Sequence, residues 1–187
     1  MSGTEKSSVE VWLIRHGETT WNQDGLVSGW SDPVLTEKGK AQASSLRGTL
    51  KGQKYAGVWS SDLVRAVQTA ELAWATPSQD TRIRELNFGE LEGQSWLTMD
   101  DGWKVALLNF EGFQAPGGEH VDTFRERVLG FLDDLDDGVH LIFVHGGLIR
   151  MVLREVDEDK FLPSTSIVKI NWSERRLLDI IEGGQES

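Results

Sequence analysis

The sequence has no cysteine, only one tyrosine and only four prolines among its 187 residues. The absence of cysteine excludes disulfide bonds, thiolate catalysis and zinc sites with cysteine ligands. No apolar run approaches the roughly 18 residues that a membrane-spanning helix requires. The first eight residues are polar and lack the apolar segment of a signal peptide. We therefore expect a cytoplasmic protein with a disordered tail over residues 1–8.

Basic side chains are also scarce, because 19 lysines and arginines stand against 30 aspartates and glutamates and give a net charge of −11. Nucleic acids and anionic membranes require a basic surface, so neither is expected as a partner. A few clustered arginines can still form a positive pocket within an acidic surface. The composition is therefore compatible with a small anionic ligand.

The length of the chain fits one domain with a sizeable core. Short apolar runs alternate with segments of helical periodicity, which predicts a three-layer α/β/α sandwich with a mostly parallel central sheet. Strands are expected at residues 9–14, 57–59, 139–144, 166–172 and 176–181, the last two as an edge hairpin. Helices are expected at residues 36–50, 63–74, 94–110 and 121–135 and after residue 147, with a long loop at 21–33 and an extended connection at 82–88. We predict a single domain over residues 9–182, with a small helical lid at about 93–118 and a frayed end at 183–187.

Two of the predicted parallel strands end at a histidine that glycine follows. The first strand leads into Arg15 and His16, and strand 139–144 leads into His145. Open α/β sheets bind their ligands at the carboxyl ends of the strands. Both histidines are therefore expected at one edge of the sheet, at the mouth of a crevice.

Three other polar side chains have a structural interpretation beside a functional one. Arg65 lies in the first turn of a helix and is expected to lean back toward the preceding strand end, although most such arginines are simply solvated. Glu85, taken alone, would be an exposed carboxylate. His140 lies inside a strand and is expected to pack against a helix. Residues 60–62 are expected to cap the helix that carries Arg65.

Six short motifs occur in order between the first predicted strand and the last parallel one. They lie at residues 13–19 with 21–22, 28–32 with 35–36, 60–63 with 65–66 and 68–70, 84–89 with 92–93, 116–119, and 144–147. The first reads Leu-Ile-Arg-His-Gly-Glu-Thr and the last reads Val-His-Gly-Gly. Together they resemble the histidine phosphatase (phosphoglycerate mutase-like) superfamily, which implies a phosphoglycerate mutase-like fold.

The resemblance also implies a role for each matching residue. The implied catalytic set is Arg15, His16, Arg65, Glu85 and His145. The implied phosphate or substrate contacts are Asn22, Ser28 and Gly29. In this set His16 is the nucleophile that takes the phosphoryl group, and Glu85 gives a proton to the leaving oxygen. The two arginines and His145 hold the phosphoryl oxygens, and neither a metal nor a cofactor is implied.

The chemistry of phosphoryl transfer accounts for these residue types. Arginine offers paired donors that stay charged, which suits phosphate oxygens. Neighbouring guanidinium groups favour the neutral, nucleophilic form of an imidazole. A carboxyl group such as Glu85 can act as an acid in one step and as a base in the next. The four histidines could instead suggest a metal site, but their spacing does not cluster them.

The choice between hydrolysis and mutase chemistry depends on the segment after Glu85. Mutases of this superfamily carry a longer insertion there, with basic residues for a second anionic group. Here residues 94–114 contain one cation, Lys104, beside Asp100, Asp101 and Glu111. We therefore predict a phosphatase acting on a small phosphorylated metabolite. Mutase-type transfer and a non-catalytic phosphate-binding module remain the alternatives.

Two features of this region stay open at the sequence level. Its aromatic residues suggest core packing or, as a sharper hypothesis, a preference for an apolar or ring-bearing leaving group; they are Trp96, Trp103, Phe110 and Phe113. His120 stands where small polar residues are common in the superfamily, and it is assigned no role. The oligomeric state is also left open.

Overall fold

A computed structural model of the protein describes residues 8–184, in which strands and helices alternate. The strands are β1 (Val9–Arg15), β2 (Gly57–Ser60), β3 (Ser78–Gln79), β4 (Gly138–Val144), β5 (Ile167–Asn171) and β6 (Arg176–Ile181). The helices are α1 (Thr20–Gln23), α2 (Glu37–Leu50), α3 (Val64–Ala73), α4 (Asp101–Asn109), α5 (Val121–Asp133) and α6 (Gly146–Arg154). Most of the predicted tail, and residues 185–187 of the predicted frayed end, lie outside the described residues. Within that range no helix is both long and apolar enough to cross a membrane.

The strands form one sheet in the order β3-β2-β4-β1-β5-β6. The first four strands in this order are parallel, whereas β5 runs antiparallel to β1 and β6 antiparallel to β5. The mostly parallel sheet and the edge hairpin are thus confirmed. The two-residue strand β3 was not predicted, because two polar residues carry no apolar pattern.

Helices cover both faces of the sheet and confirm the predicted α/β/α layers. Trp12 and Ile14 of β1 pack with residues of α2 and α3. Val11 and Leu13 point the other way and pack with residues of α5 and α6. Strands buried on both faces become continuous apolar runs, which is why β1 and β4 were the clearest strands in the sequence.

The predicted helix over 94–110 is wrong in its first half. Helix α4 begins only at Asp101, because the side chain of Asp100 accepts a hydrogen bond from the Gly102 amide at 2.8 Å. Ser95 instead forms an isolated bridge with Leu26, residues 96–98 form a turn, and Met99 after it is buried. Apolar residues continue at helical spacing through this segment, so the apolar pattern did not reveal that Asp100 caps the helix. Phe110 ends the helix in a left-handed conformation with φ 54°.

Two other local predictions also need correction. The predicted extended connection at 82–88 begins too early, because residues 82 and 83 belong to the short 3₁₀ turn Thr81–Ile83, and a second 3₁₀ turn, Gly89–Leu91, follows it. The first helical amide of α3, that of Val64, is bound by Asp32 at 2.7 Å and not by residues 60–62, of which Ser61 accepts the amide of Leu63, the residue before the helix, at 3.3 Å. The cap comes from the loop at 21–33, far away in sequence, and it ties that loop to the helix that carries Arg65.

Candidate active site

His16 and His145 meet because they follow paired positions on adjacent parallel strands. Arg15 of β1 is the register partner of Val144 of β4, and the His16 amide donates to the Val144 carbonyl at 3.0 Å. The two imidazole rings lie 5.4 Å apart between centroids, and both are buried. The carboxyl edge of the sheet therefore brings the two histidines together.

The imidazole of His16 has one nitrogen engaged with the backbone. Its Nδ1 lies 2.7 Å from the Gly17 carbonyl oxygen, which can only accept, so Nδ1 carries the proton in the neutral ring. Burial, Arg65 and Arg15 lower the pKa of His16 well below its ordinary value. The neutral ring therefore keeps an unprotonated Nε2, which is the nitrogen that can act as a nucleophile.

Arg65 is fully buried and connects α3 to the loop at 21–33. Its Nη2 donates to the Gly29 carbonyl at 2.6 Å and its Nη1 to the Ser31 carbonyl at 2.9 Å. Asp32 adds a contact at 3.4 Å. Burial lowers the pKa of Arg65, and the Glu85 and Asp32 carboxylates oppose that shift. The guanidinium is therefore fixed in place by two carbonyls while its Nε is left for another acceptor.

Four buried nitrogen atoms near His16 find no hydrogen-bond partner within residues 8–184. They are Nε of Arg15, Nε of Arg65, and Nδ1 and Nε2 of His145. Buried polar atoms in proteins almost always have a partner, so such a group indicates a place for a ligand. Guanidinium N–H groups require an acceptor, and an anion with several oxygens meets that requirement.

Glu85 is buried beside these cations. Its Oε2 accepts the Gly147 amide at 2.8 Å, and its Oε1 accepts the Leu86 amide at 3.0 Å. Burial raises the pKa of Glu85, while the two amides and the two arginines oppose the shift. The carboxyl group therefore keeps its proton to a higher pH than an exposed glutamate does.

Sequence reasoning missed Arg127 of α5, which holds the backbone that carries Glu85. Its guanidinium donates to the carbonyls of Arg82, Arg84 and Glu85 at 2.7, 2.8 and 2.9 Å. It also forms hydrogen bonds of 2.7 and 2.8 Å with the Glu119 carboxylate. Glu119 belongs to the fifth sequence motif, so its need for a cationic partner was the signal that could have led to Arg127.

The three predicted phosphate contacts have different positions. Asn22 and Ser28 line the same cavity as His16. The Asn22 side chain also accepts the Thr19 amide at 3.0 Å, in a capping box that begins α1 within the loop predicted at 21–33. Gly29 is not one of the residues that line this cavity, and its carbonyl accepts from Arg65 at 2.6 Å. A Cβ at Gly29 would lie 2.3 Å from the Leu86 carbonyl oxygen, so only glycine fits there.

The cavity has a volume of about 240 Å³, and its lining combines polar and apolar side chains. Its polar lining residues include Arg15, His16, Asn22, Ser28 and Glu85. Its apolar lining residues are Leu26, Val27, Phe88, Trp96, Leu107, Leu108, Phe110, Phe161 and Leu162. Of the predicted aromatic set, Trp103 and Phe113 instead pack in the hydrophobic core. Arg150 also lines the cavity, and sequence reasoning missed it.

Known proteins share this sequence pattern and this fold. The family model of the histidine phosphatase superfamily (branch 1) matches residues 11–177. The chain belongs to this superfamily. Histidine phosphatases and phosphoglycerate mutases are both phosphoryl-transferring enzymes, and the chain shares that general chemistry.

Several relatives within the histidine phosphatase superfamily resemble the chain over most of its length. A probable phosphoglycerate mutase, GpmB of Salmonella choleraesuis, is 32% identical over 180 residues, covering 90% of this chain and 80% of GpmB. The crystal structure of TTHB049 from Thermus thermophilus is 46% identical with a TM-score of 0.86, covering 92% of this chain and 99% of that one. YhfR of Bacillus stearothermophilus is 25% identical with a TM-score of 0.76, covering 96% and 98%. These likenesses confirm the phosphoglycerate mutase-like fold.

The other two histidines of this superfamily member have structural partners. His140 accepts from Trp59 Nε1 at 3.2 Å through Nδ1 and contacts the Asp136 carbonyl at 2.8 Å through Nε2. His120 caps α5, because its Nδ1 accepts the Asp122 amide at 3.1 Å. This cap is a physical reason for a histidine at that position. Within residues 8–184, no group of three or more His, Asp or Glu is placed to hold a metal ion.

Proposed function

We propose that the protein is a phosphatase that hydrolyses a small phosphomonoester through a phosphohistidine on His16. The observation that supports this most is the placement of a neutral imidazole beside buried arginine and histidine nitrogens that need an acceptor. Arg15, Arg65 and His145 would hold the phosphoryl oxygens. Their positive charge would offset the charge on those oxygens in the transition state, so the reaction needs no metal.

Glu85 would serve as the acid and then as the base. In the first step Nε2 of His16 attacks phosphorus, the P–O bond to the leaving group breaks, and the leaving oxygen takes the proton of Glu85. In the second step a water attacks phosphorus, the P–N bond breaks, and Glu85 takes a proton from that water. The raised pKa of Glu85 supports the acid role in the first step.

Mutase-type transfer is the second candidate, because GpmB is described as a probable phosphoglycerate mutase. A mutase must hold a second anionic group while the phosphoryl group moves. Lys104 is the one basic residue between positions 93 and 118, and it is paired with Asp101 at 3.2 Å. Arg150 also lines the cavity, but it is paired with Asp159 at 2.5 Å, and the lining around it is mostly apolar. This lining favours a monoester with an uncharged leaving group over a phosphoglycerate.

The experiment uses p-nitrophenyl phosphate in the presence of a chelator. We expect the wild type to release phosphate and to form an acid-labile phosphoenzyme, and His16→Ala to do neither. His120→Asn is the matched control, because His120 lies on the α5 cap and asparagine also caps helices. Activity that survives in His16→Ala contradicts the mechanism, and activity lost to the chelator indicates a metal enzyme. Conversion of 3-phosphoglycerate to 2-phosphoglycerate with a bisphosphate primer supports the mutase, and binding without turnover supports the phosphate-binding module.

A further inference from the structure

Arg150 puts a guanidinium group into the wall of the cavity that His16 also lines. It lies on α6 one turn beyond Gly146 and Gly147, which contact Arg15 and Glu85. One helical turn advances the chain by about 5.4 Å, away from the sheet edge. Arg150 is therefore placed to meet the leaving group of a substrate whose phosphoryl group lies at His16.

The guanidinium of Arg150 is held by a carboxylate and by the end of α4. Its Nε donates to Asp159 Oδ1 at 2.5 Å, and its Nη2 donates to Asp159 Oδ2 at 3.1 Å. Nη2 also donates to the Leu108 carbonyl at 2.7 Å, and Nη1 donates to that of Leu107 at 3.4 Å. Phe161 stacks on the guanidinium at 4.0 Å. The cation is thus fixed among apolar side chains that line the same cavity.

Asp159 neutralises this cation from outside the cavity. Its side chain is 45% exposed and lies in a separate surface depression between Arg150 and Arg154. Arg154 also donates to Asp159 at 2.8 Å and contacts Glu111 at 3.4 Å. The charges of two guanidinium groups and two carboxylates therefore balance in this depression. Asp159 is the carboxylate bound to Arg150, the cation of the cavity wall.

We infer that Asp159 determines the charge selectivity of the active-site cavity. While Asp159 neutralises Arg150, the part of the cavity around Arg150 accepts uncharged, apolar leaving groups and disfavours a second anionic group. Without that carboxylate, Arg150 becomes a binding site for a second anion on the substrate. This inference rests on the proposed hydrolysis of phosphomonoesters and names the leaving groups that the hydrolase selects.

The test compares two aryl phosphates that differ in one charge, 4-carbamoylphenyl phosphate and 4-carboxyphenyl phosphate. We expect the wild type to have the higher kcat/KM for the carbamoyl compound. Asp159→Asn should raise the relative kcat/KM for the carboxy compound by about tenfold, as expected for one partly screened charge pair. The wild type and the Asp159→Asn variant are compared on the same two substrates. The intrinsic difference in reactivity between the two leaving groups therefore cancels when the two kcat/KM ratios are compared.

Two further variants separate a specific effect from a general change of charge. Glu111→Gln removes the same charge beside Arg154 and outside the cavity, and it should leave the substrate ratio at the wild-type value. The double variant Arg150→Gln with Asp159→Asn should return the ratio toward that of the wild type, because the cation is gone. Asp159→Ser repeats the test if the asparagine variant does not fold.

The outcomes distinguish this inference from the proposed function. An unchanged ratio in a folded, active Asp159→Asn variant overturns the inference, and so does a shift that persists in the double variant. A wild type that prefers the carboxy compound overturns it without any variant. If the wild type hydrolyses neither compound and no other phosphomonoester, the proposed phosphatase function fails instead.

Discussion

Glu85 and Gly147 are joined by a hydrogen bond from the Gly147 amide to the Glu85 carboxylate at 2.8 Å. The contact leaves no room for a side chain, because a Cβ at position 147 would lie 2.6 Å from Glu85 Oε1. The second glycine of the His-Gly-Gly motif is therefore required by a carboxyl group 62 residues earlier in the chain. The first turn of α6, which follows His145, therefore also positions Glu85.

Gly147→Ala should therefore lower kcat/KM by about ten- to a hundredfold, because Glu85, the proposed acid, loses its alignment with the leaving oxygen when it is displaced by a fraction of an ångström. The measurement is kcat/KM on phenyl phosphate. Gly48→Ala in α2 is the matched control, since its added Cβ meets nothing within 4 Å. The control should keep its activity and gain about 0.5–1 kcal/mol in free energy of unfolding. Full activity in Gly147→Ala would show that Glu85 tolerates the shift.

The pH profile of kcat/KM should reflect two buried groups with opposite shifts. The lowered pKa of His16 keeps the ring neutral at pH values below 6.5, the ordinary value for histidine. The raised pKa of Glu85 keeps the acid protonated above pH 4.5, the ordinary value for glutamate. We expect the acid limb, where His16 gains a proton, to lie below pH 6.5 once ionisation of the substrate is divided out. An acid limb at or above that value contradicts the buried, neutral histidine.

Glu85→Gln should make the rate depend on the leaving group. Glutamine cannot give a proton, so kcat/KM on phenyl phosphate should fall by about 10²- to 10⁴-fold. The loss on p-nitrophenyl phosphate should be much smaller, because its leaving group is stable as an anion. Glu90→Gln, an exposed carboxylate in the next turn, is the control and should behave as the wild type on both substrates. Equal losses on the two substrates would argue that Glu85 has a structural role.

The sequence was most informative where one short segment carries both the fold and the site. An apolar run that ends at histidine and glycine predicts three features together: a strand, the turn at which the strand ends, and a histidine side chain available for chemistry at that turn. His16 and His145 were therefore expected at one edge of the sheet, and their 5.4 Å separation follows from the pairing of β1 with β4. Arg65 was predicted to point toward the preceding strand end because helical side chains lean toward the N-terminus of the helix, but this rule does not identify its hydrogen-bond partners.

Contacts between segments that are distant in sequence could not be predicted from local residue patterns. Asp32 caps a helix that begins 32 residues later, and nothing in the residues near Val64 indicates this. Arg150 has the spacing of an ordinary helix residue, and only the folded chain places it against Asp159 and the cavity. Where capping and turn chemistry compete with apolar spacing, as at Asp100, the spacing extended the predicted helix too far.

Arg127 offers a test of whether Glu85 is positioned by the hydrogen bonds that hold its backbone. Arg127→Lys cannot reach three carbonyls and Glu119 with one ammonium group, so partly buried acceptors lose their donors. We expect the free energy of unfolding to fall by about 1–3 kcal/mol. We also expect a larger loss of kcat on phenyl phosphate than on p-nitrophenyl phosphate, since the displaced group is the proposed proton donor.

The control for this substitution is a second arginine of α5 that also binds a carboxylate. Arg125 instead pairs through two nitrogens with Glu155 at the end of α6, and its side chain is 47% exposed. Arg125→Lys should cost less than about 1 kcal/mol and leave the ratio of the two substrates unchanged. A folded Arg127→Lys variant that loses activity equally on both substrates would mean that Arg127 stabilises the fold without aligning the acid. The leaving-group dependence thus separates positioning from stability, because only displacement of Glu85 makes proton donation the limiting step.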